Sequence, residues 1–259
     1  MHSRVVAPSF VASSTVTCLF CSSSFPPGAK GEDIIPRWYA TAIGHPVTSE
    51  VLFGLADSTA SVFSEPTASQ TVAAKQFRVP DVCPACNNGW MSQIEQHAKP
   101  HLLQMMGGSA IDLAPSAQRE VAEWAQLKAI LWDHLETPQR LPATYATAFF
   151  TTRPLRHMSV VLGGVESESS MDIAIARHVG MLRLGGSGGG DEILRVTIRF
   201  DHLLLQVGTA LRSAVPVELL REASGPFVGI WPPRLGQESD AVHWPPPAAV
   251  SPTELGALL

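Results

Sequence analysis

The chain has 259 residues, of which 45% are hydrophobic and 16% are charged. A chain of this length and composition can bury a substantial core, which excludes an intrinsically disordered protein and favours a globular protein with two structural units. The 18 basic and 23 acidic residues give a net charge of −5. This balance excludes a global attraction to a phosphate backbone, so any binding of nucleic acid would need a local patch.

Residues 1–15 are mostly small and polar, without periodicity, and are expected to form a disordered tail. Their apolar run is short and is interrupted by Pro8, which is not typical of an export signal. No other stretch approaches the roughly 18 uninterrupted apolar residues of a membrane helix. The sequence therefore predicts a cytoplasmic protein without a membrane span.

All four cysteines lie in two Cys-x-x-Cys pairs, Cys18/Cys21 and Cys83/Cys86. A two-residue spacer lets both thiolates of a pair bind one ion from a tight turn, and four thiolates complete the tetrahedral coordination of Zn²⁺. Two redox-active pairs, or disulfides in a secreted protein, are the alternatives. The pattern favours a structural zinc site.

The zinc-binding unit is predicted to span residues 16–110. Within it, 43–70 is a loosely structured insertion rich in Ser, Thr and Ala, and 72–79 is predicted as a strand. Apolar residues at three- and four-residue steps predict a helix over 90–105 that ends at the glycine pair 107–108. A second helix, beginning at Pro115 or Ser116 and continuing to Leu135, dominates a helical segment over 111–140.

The pattern changes to β over residues 141–259. Short β-branched or alternating segments predict a mainly antiparallel sheet, with strands at 145–152, 157–162, 171–176, 178–184, 194–200 and 203–207. The glycine-rich run 185–190 is expected to be a flexible connection, because it lacks the Gly-Lys-Ser/Thr of a phosphate-binding loop. A proline-rich tail is expected to pack its two tryptophans on the body. The predicted fold class is α+β.

The order of the motifs resembles the zinc-stapled branch of the HNH, or ββα-metal, endonuclease family. A Cys-x-x-Cys pair is followed by Glu-Asp-Ile-Ile-Pro at 32–36 and by Cys-x-x-Cys-Asn at 83–87. This resemblance covers about residues 16–100. The block from Cys86 to Glu95, with the downstream helix around Trp124, looks like a group of bacterial proteins described as HNH-like.

The resemblance implies hydrolysis of DNA phosphodiester bonds at a site that is separate from the structural Zn²⁺ and that holds a second divalent ion such as Mg²⁺ or Mn²⁺. By position, Glu32 takes the place of the carboxylate ligand and Asn87 the place that follows the last cysteine. Asp33 stands where the family has the histidine that activates water. An ordinary aspartate, with a pKa of about 3.9, is a much weaker base than histidine.

Two functions remain open from the sequence. One is an HNH-like endonuclease with Glu32, Asp33 and Asn87 as its catalytic residues; the other is a catalytically inactive, zinc-stabilised module that binds nucleic acid or a protein partner. A zinc hydrolase of another substrate is disfavoured, because four cysteines close the coordination shell. The residues that could substitute for the missing base are His97 and His45, and those that could position metal or phosphate are Glu95 and Arg37.

Overall fold

The computed structural model describes residues 15–43, 48–53, 68–73, 77–165, 173–182, 191–212, 226–233, 236, 240–246 and 248–251. These residues form helices and antiparallel strands, with a β-rich C-terminal region, which confirms the α+β prediction. The expected N-terminal tail, apart from residue 15, and the glycine-rich run 185–190 lie outside this part of the chain.

Short paired strands build the N-terminal part. Strands β1 (Val16–Thr17) and β2 (Ser24–Phe25) form a hairpin, and β3 (Glu32–Asp33) pairs antiparallel with β6 (Arg78–Val79). Helix α1 (Arg37–Ile43) follows β3. Because β6 leads directly into the second cysteine pair, the β3–β6 ladder places Glu32 and Asp33 beside that pair.

The segment between α1 and β6 contains regular structure that its composition does not predict. Strands β4 (Thr48–Phe53) and β5 (Ala68–Ala73) form an antiparallel hairpin that lies against strand β9 (Ile173–Leu182). The expectation of a loosely structured insertion is therefore wrong over these strands. The strand predicted over 72–79 is divided between the end of β5 and β6.

The two predicted helices are confirmed. A helical turn, α2 (Pro84–Cys86), continues through a wide π-type turn (Asn87–Met91) into α3 (Ser92–Met106), which ends at Gly107. After β7 (Ile111–Leu113) comes α4 (Pro115–Leu135). None of the helices in the described ranges is long and apolar enough to cross a membrane.

The C-terminal part is a five-stranded antiparallel sheet with strand order β12-β8-β11-β10-β9. The strands not yet given are β8 (Ser159–Gly164), β10 (Asp191–Phe200), β11 (Leu203–Ala210) and β12 (Phe227–Trp231). The strands predicted over 171–176 and 178–184 join into the single strand β9. The later segment β13 (Val242–Trp244) pairs with β7 and buries Trp244, while Trp231 is half-buried.

The strand predicted over 145–152 is wrong, because this segment forms helix α5 (Thr144–Thr151). Its threonines and aromatic residues have high β propensity, but tertiary packing overrides that preference. Ala146 and Phe149, three residues apart, are buried on the face that meets the core. Thr147 and Thr151 are exposed and hydrogen-bond to backbone carbonyls of the same helix, which satisfies their hydroxyls.

Helix α4 contacts both the cysteine-bearing part and the sheet. It packs against α3 and against strands β8, β11 and β12 of the sheet. Trp124 on this helix lies 5.8 Å from Phe200 on β10 between ring centroids, and Phe200 in turn meets Tyr39 of α1 at 4.9 Å. One hydrophobic core therefore includes residues of both the cysteine-bearing part and the sheet.

A buried ion pair joins the end of α4 to the sheet. Arg177 on β9 donates to Asp133 at 2.8 Å and lies 3.0 Å from Glu136, while the side chains of Arg177 and Asp133 are each 3% exposed. Asp133 also accepts the backbone N–H groups of Arg140 and Leu141, so its charge is well compensated. Burial raises the pKa of Glu136, and Arg177 opposes that rise.

We expect Arg177→Met to lower the free energy of unfolding by about 3–5 kcal/mol, because the change leaves buried carboxylates without their cation. Urea unfolding at neutral pH measures this loss. The matched control is Arg119→Met, which removes an exposed arginine paired with Glu123 on α4 and should cost less than about 1 kcal/mol. Equal effects of the two variants would contradict the role given to Arg177.

Candidate functional site

The four cysteines of the two Cys-x-x-Cys pairs form one cluster. Their Sγ atoms all lie within 4.8 Å of one another. The Sγ atoms of Cys18 and Cys86 are 3.9 Å apart, and those of Cys21 and Cys83 are 3.7 Å apart. Four sulfurs bound to one zinc ion at about 2.3 Å would lie about 3.8 Å apart at the corners of a tetrahedron. The cluster therefore has the shape that a metal ion such as zinc requires.

Backbone geometry presents the sulfurs from two tight turns. In the first turn, Ser22 adopts a positive φ of 59° and donates its N–H to the carbonyl of Cys18. In the second, Cys83 caps α2 by accepting the N–H of Cys86, while its own N–H points to the sulfur of Cys18. N–H donors aimed at sulfur favour the thiolate form, which is the form that binds metal.

The pKa values of the thiols differ with their surroundings. Burial raises the pKa of Cys83 and that of Cys86. At Cys21 burial acts in the same direction, but hydrogen bonds with Ser23 outweigh it and lower the pKa to about 6. A divalent cation among the sulfurs would supply the positive charge that the two more buried thiols need in order to ionise.

A cavity of about 220 Å³ lies beside the cluster. Its lining includes Glu32, Asp33 and Asn87, the three residues that the sequence predicts for catalysis, and also Glu95 and Arg37. The β3–β6 ladder carries the first two, and the turn after the last cysteine carries Asn87. The structure thus places these residues around one cavity.

Asp33 is engaged in two ion pairs. Its Oδ2 accepts from Nε of Arg37 at 3.0 Å, and its Oδ1 accepts from Nε of Arg78 at 2.6 Å. Both carboxylate oxygens therefore already have a cationic partner. A water molecule or a metal ion could use Asp33 only by sharing or displacing one of these arginines.

Lys128 is the charged residue beside the cavity that the sequence analysis does not identify. Its Nζ donates at 2.8 Å to Oε1 of Glu32, to Oε1 of Glu95 and to the backbone carbonyl of Asp33. The Lys128 side chain is 1% exposed, and that of Glu32 is 8% exposed. The three N–H groups of the ammonium are all satisfied, which is the condition for burying such a charge.

Burial alone would lower the pKa of Lys128, but Glu32 and Glu95 outweigh burial and raise it. The ammonium is therefore charged at neutral pH. Burial raises the pKa of Glu32, while Lys128 opposes that rise. Lys128 is thus the neighbour that most favours the ionised form of Glu32.

Asn87 is held in place by its own hydrogen bond. Its Nδ2 donates to the backbone carbonyl of Gly31, which lies just before β3. Gly31 has a φ of +66° and packs against the carbonyl of Val79, where a side chain would collide with backbone. This close approach joins the strand that carries Glu32 to the turn that carries Asn87.

The alternative base that the structure describes, His97, does not reach this cavity. His97 is exposed on α3 and does not line it, and His45 lies outside the described residues. Around the cavity, the described carboxylates Glu32, Glu95 and Asp33 meet the cations Lys128, Arg37 and Arg78. Each of these carboxylates is thus paired with a cation of the chain, and Lys30 adds a further positive charge to the lining, which leaves no surplus negative charge for a divalent cation.

We expect the purified protein to carry about one zinc ion per chain, because four thiolates close a tetrahedral shell. Cys83→Ser should lose that metal and destabilise the N-terminal part, whereas Ser24→Ala, an exposed position on β2, should retain it. Inductively coupled plasma mass spectrometry and thermal unfolding measure the two effects. A Cys83→Ser protein with unchanged metal content and stability would contradict the assignment.

We expect Lys128→Met to lower the free energy of unfolding by about 3–5 kcal/mol at neutral pH, because it strands two carboxylates beside the core. The folded pKa of Glu32 should rise further above its unfolded value. The loss of unfolding free energy in the variant is then fully present above that raised pKa, and it diminishes as the pH falls through it.

Urea unfolding of the wild type and of Lys128→Met at pH values from neutral to mildly acidic measures this change. The stability difference between the two proteins should shrink toward acid. Lys99→Met is the control, since Lys99 is half-buried over the ring of Trp38 and should contribute about 1 kcal/mol or less. A difference that stays constant with pH would contradict the ion-pair account.

The chain matches no protein-family model, no curated protein and no solved structure. Its own side chains therefore carry the functional assignment. They provide a four-cysteine cluster suited to a metal ion and a neighbouring cavity whose carboxylates are balanced by internal cations.

Proposed function

We propose that this protein is a zinc-stabilised, HNH-like module that binds nucleic acid and does not hydrolyse it. The observation that carries the proposal is the position of Lys128, whose ammonium lies 2.8 Å from Glu32 and from Glu95. A positive charge that belongs to the chain thus occupies the carboxylates that an HNH-like nuclease would offer to its divalent ion.

The layout around the cysteines supports the HNH-like part of the proposal. Strand β3 pairs with strand β6, and the helical stretch that begins at Pro84 follows β6, so two strands and a helix lie together, with α1, β4 and β5 inserted between the strands. Zinc at the four sulfurs would hold the β1–β2 turn against the start of that helix. In this role the metal organises the cavity and takes no part in chemistry, because four cysteines leave no coordination position for water.

The charges at the cavity oppose metal-dependent hydrolysis. At an effective dielectric constant near 20, two unit charges about 4 Å apart interact by about 4 kcal/mol, and a divalent ion doubles that repulsion. A catalytic cation bound to Glu32 would meet this repulsion from Lys128. Asp33, with Arg37 and Arg78 on its two oxygens, is a poor replacement for the missing histidine.

Exposed cations at the mouth of the cavity support binding of a polyanion. Lys30 is exposed, and the side chain of Arg37 is 62% exposed. Both line the cavity, so they form the local patch that a chain of net charge −5 would need in order to attract phosphates. The half-buried ring of Trp38 lies beside them and offers a surface on which a base can stack.

The second candidate is an active endonuclease. It is favoured by the convergence of Glu32, Asp33 and Asn87 on one cavity. This candidate requires the arginine pairs of Asp33 to open when a metal ion and a phosphodiester bind. Measuring both DNA binding and DNA cleavage separates the two functions.

We expect zinc-loaded protein to bind labelled single-stranded and duplex DNA with an affinity that falls as salt rises, and to cleave neither with Mg²⁺, Mn²⁺ or Ni²⁺. Fluorescence anisotropy and gel electrophoresis measure binding and cleavage. Replacing both Lys30 and Arg37 by glutamine should reduce the slope of log affinity against log salt by about 1.4 for single strands.

Arg119→Gln, an exposed change on α4, is the matched control and should leave the slope unchanged. Metal-dependent cleavage that is lost in Asn87→Ala would replace the proposed function by the endonuclease. Absence of salt-dependent binding to any DNA would contradict both and favour a protein partner.

A further inference from the structure

In the cavity beside the cysteine cluster, the carboxylates lie at the buried end, or floor, and exposed cations lie at the open end, or mouth. Among the charged residues that line the cavity, the carboxylates are the more buried, with side-chain exposures of 8% for Glu32, 18% for Asp33 and 22% for Glu95. The cations Arg37 and Lys30 are exposed at the mouth. A ligand that fits this gradient must present hydrogen-bond donors at its inner end and negative charge at its outer end.

The buried end of the cavity, formed by Glu32, Asp33 and Glu95, has hydrogen-bond acceptors that are not fully used. An ionised carboxylate has two oxygens and about four lone-pair positions. Lys128 uses Oε1 of Glu32 and Oε1 of Glu95, and within the described part of the chain no hydrogen bond or ion pair engages Oε2 of Glu95. The remaining carboxylate oxygens at this depth accept hydrogen bonds and donate none, so the inner end of the ligand must supply donors.

The wall and the size of the cavity favour a flat ring system. Trp38 forms part of the lining, with Nζ of Lys99 5.8 Å from its ring centroid. The volume of about 220 Å³ is below the roughly 300–1,000 Å³ of pockets for drug-sized molecules. One base that has left its stack fits this space, whereas a base-paired duplex does not.

Among the bases, guanine matches the floor best. Its Watson–Crick edge carries two adjacent donors, N1–H and the N2 amino group, which one carboxylate can accept together. Cytosine and adenine present a single amino donor there, and the carbonyls of thymine and uracil would face the carboxylates. An arginine of a protein partner also has paired donors, but Lys30 and Arg37 at the mouth would repel its positive charge.

We propose that this cavity binds one unstacked guanine base of a single-stranded nucleic acid, with Glu95 accepting from its Watson–Crick edge and Lys30 and Arg37 contacting the neighbouring phosphates. This inference rests on the proposed function and specifies its ligand. Trp38 contributes stacking for any base, and Glu95 provides the preference for guanine. Binding is reversible and non-covalent.

The test uses the full-length, zinc-loaded protein and fluorescein-labelled oligothymidylates of about ten nucleotides, either unsubstituted or with one central guanine, adenine, cytosine or hypoxanthine. Fluorescence anisotropy should show the guanine oligomer binding about tenfold more tightly than the others. Hypoxanthine lacks the N2 amino group, so its oligomer should lose most of that preference. This comparison changes only the ligand and therefore does not depend on the folding of a variant.

Protein variants locate the interaction. Glu95→Gln should abolish the preference for guanine while retaining binding of the all-thymine oligomer, and Trp38→Leu should weaken binding of every oligomer. Glu123→Gln, which removes a carboxylate of α4 that pairs with Arg119, is the matched control and should retain the preference. Preserved guanine preference in a folded Glu95→Gln protein would overturn the assignment.

Other outcomes separate this inference from the proposed function. Equal, salt-sensitive affinities of the wild type for all five oligomers would overturn the guanine site and leave nucleic-acid binding intact. If guanosine monophosphate displaced the guanine oligomer with equal affinity, the assignment of a polynucleotide as the ligand would be overturned. If an arginine-containing peptide displaced it more strongly, the assignment of a nucleobase as the bound group would be overturned. No binding of any oligomer would overturn both proposals.

Discussion

The buried ammonium of Lys128 connects three parts of the chain that are far apart in sequence. It lies on α4, and its acceptors are on β3, at Glu32 and the carbonyl of Asp33, and on α3, at Glu95. An isolated charge at this depth would cost several kcal/mol, so each partner depends on the others being in position. Folding of the cysteine-bearing part and of the central helix is therefore coupled through one cation.

The cysteine cluster and the cation have complementary effects. The cluster holds the first hairpin against the start of α2, and the Asn87–Gly31 hydrogen bond joins the turn after the last cysteine to β3. Lys128 then neutralises the carboxylates that this arrangement concentrates. A cavity that could bind a hydrated divalent ion is converted into one whose remaining acceptors suit neutral donors. The ligand preference that we propose for it thus comes from charge that the fold itself supplies.

Sequence patterns predict the features of the structure that have strong local signals in the sequence. The cysteine spacing predicts the cluster, and helical periodicity predicts α3 and α4. The motif order leads to Glu32, Asp33 and Asn87, which meet at one cavity. Lys128 is not predicted from the sequence, because a charged residue on a helix normally faces solvent. The signal that could have identified it is its place among apolar residues, such as Leu127 and Ala129, in a helix that is buried on nearly every side. Helix α5 is missed because packing of Ala146 and Phe149 overrides the β propensity of its sequence.

The central position of α4 limits how this protein can be dissected. Lys128 on this helix pairs with the carboxylates Glu32 and Glu95, while Trp124 and Asp133 contact the C-terminal sheet through Phe200 and Arg177. A fragment that ends before α4 would keep all four cysteines but leave Glu32 without its cation. A fragment that ends after α4 would expose the tryptophan and the aspartate. The smallest autonomous unit that contains the cavity therefore extends well beyond the motif by which it is identified, into the sheet.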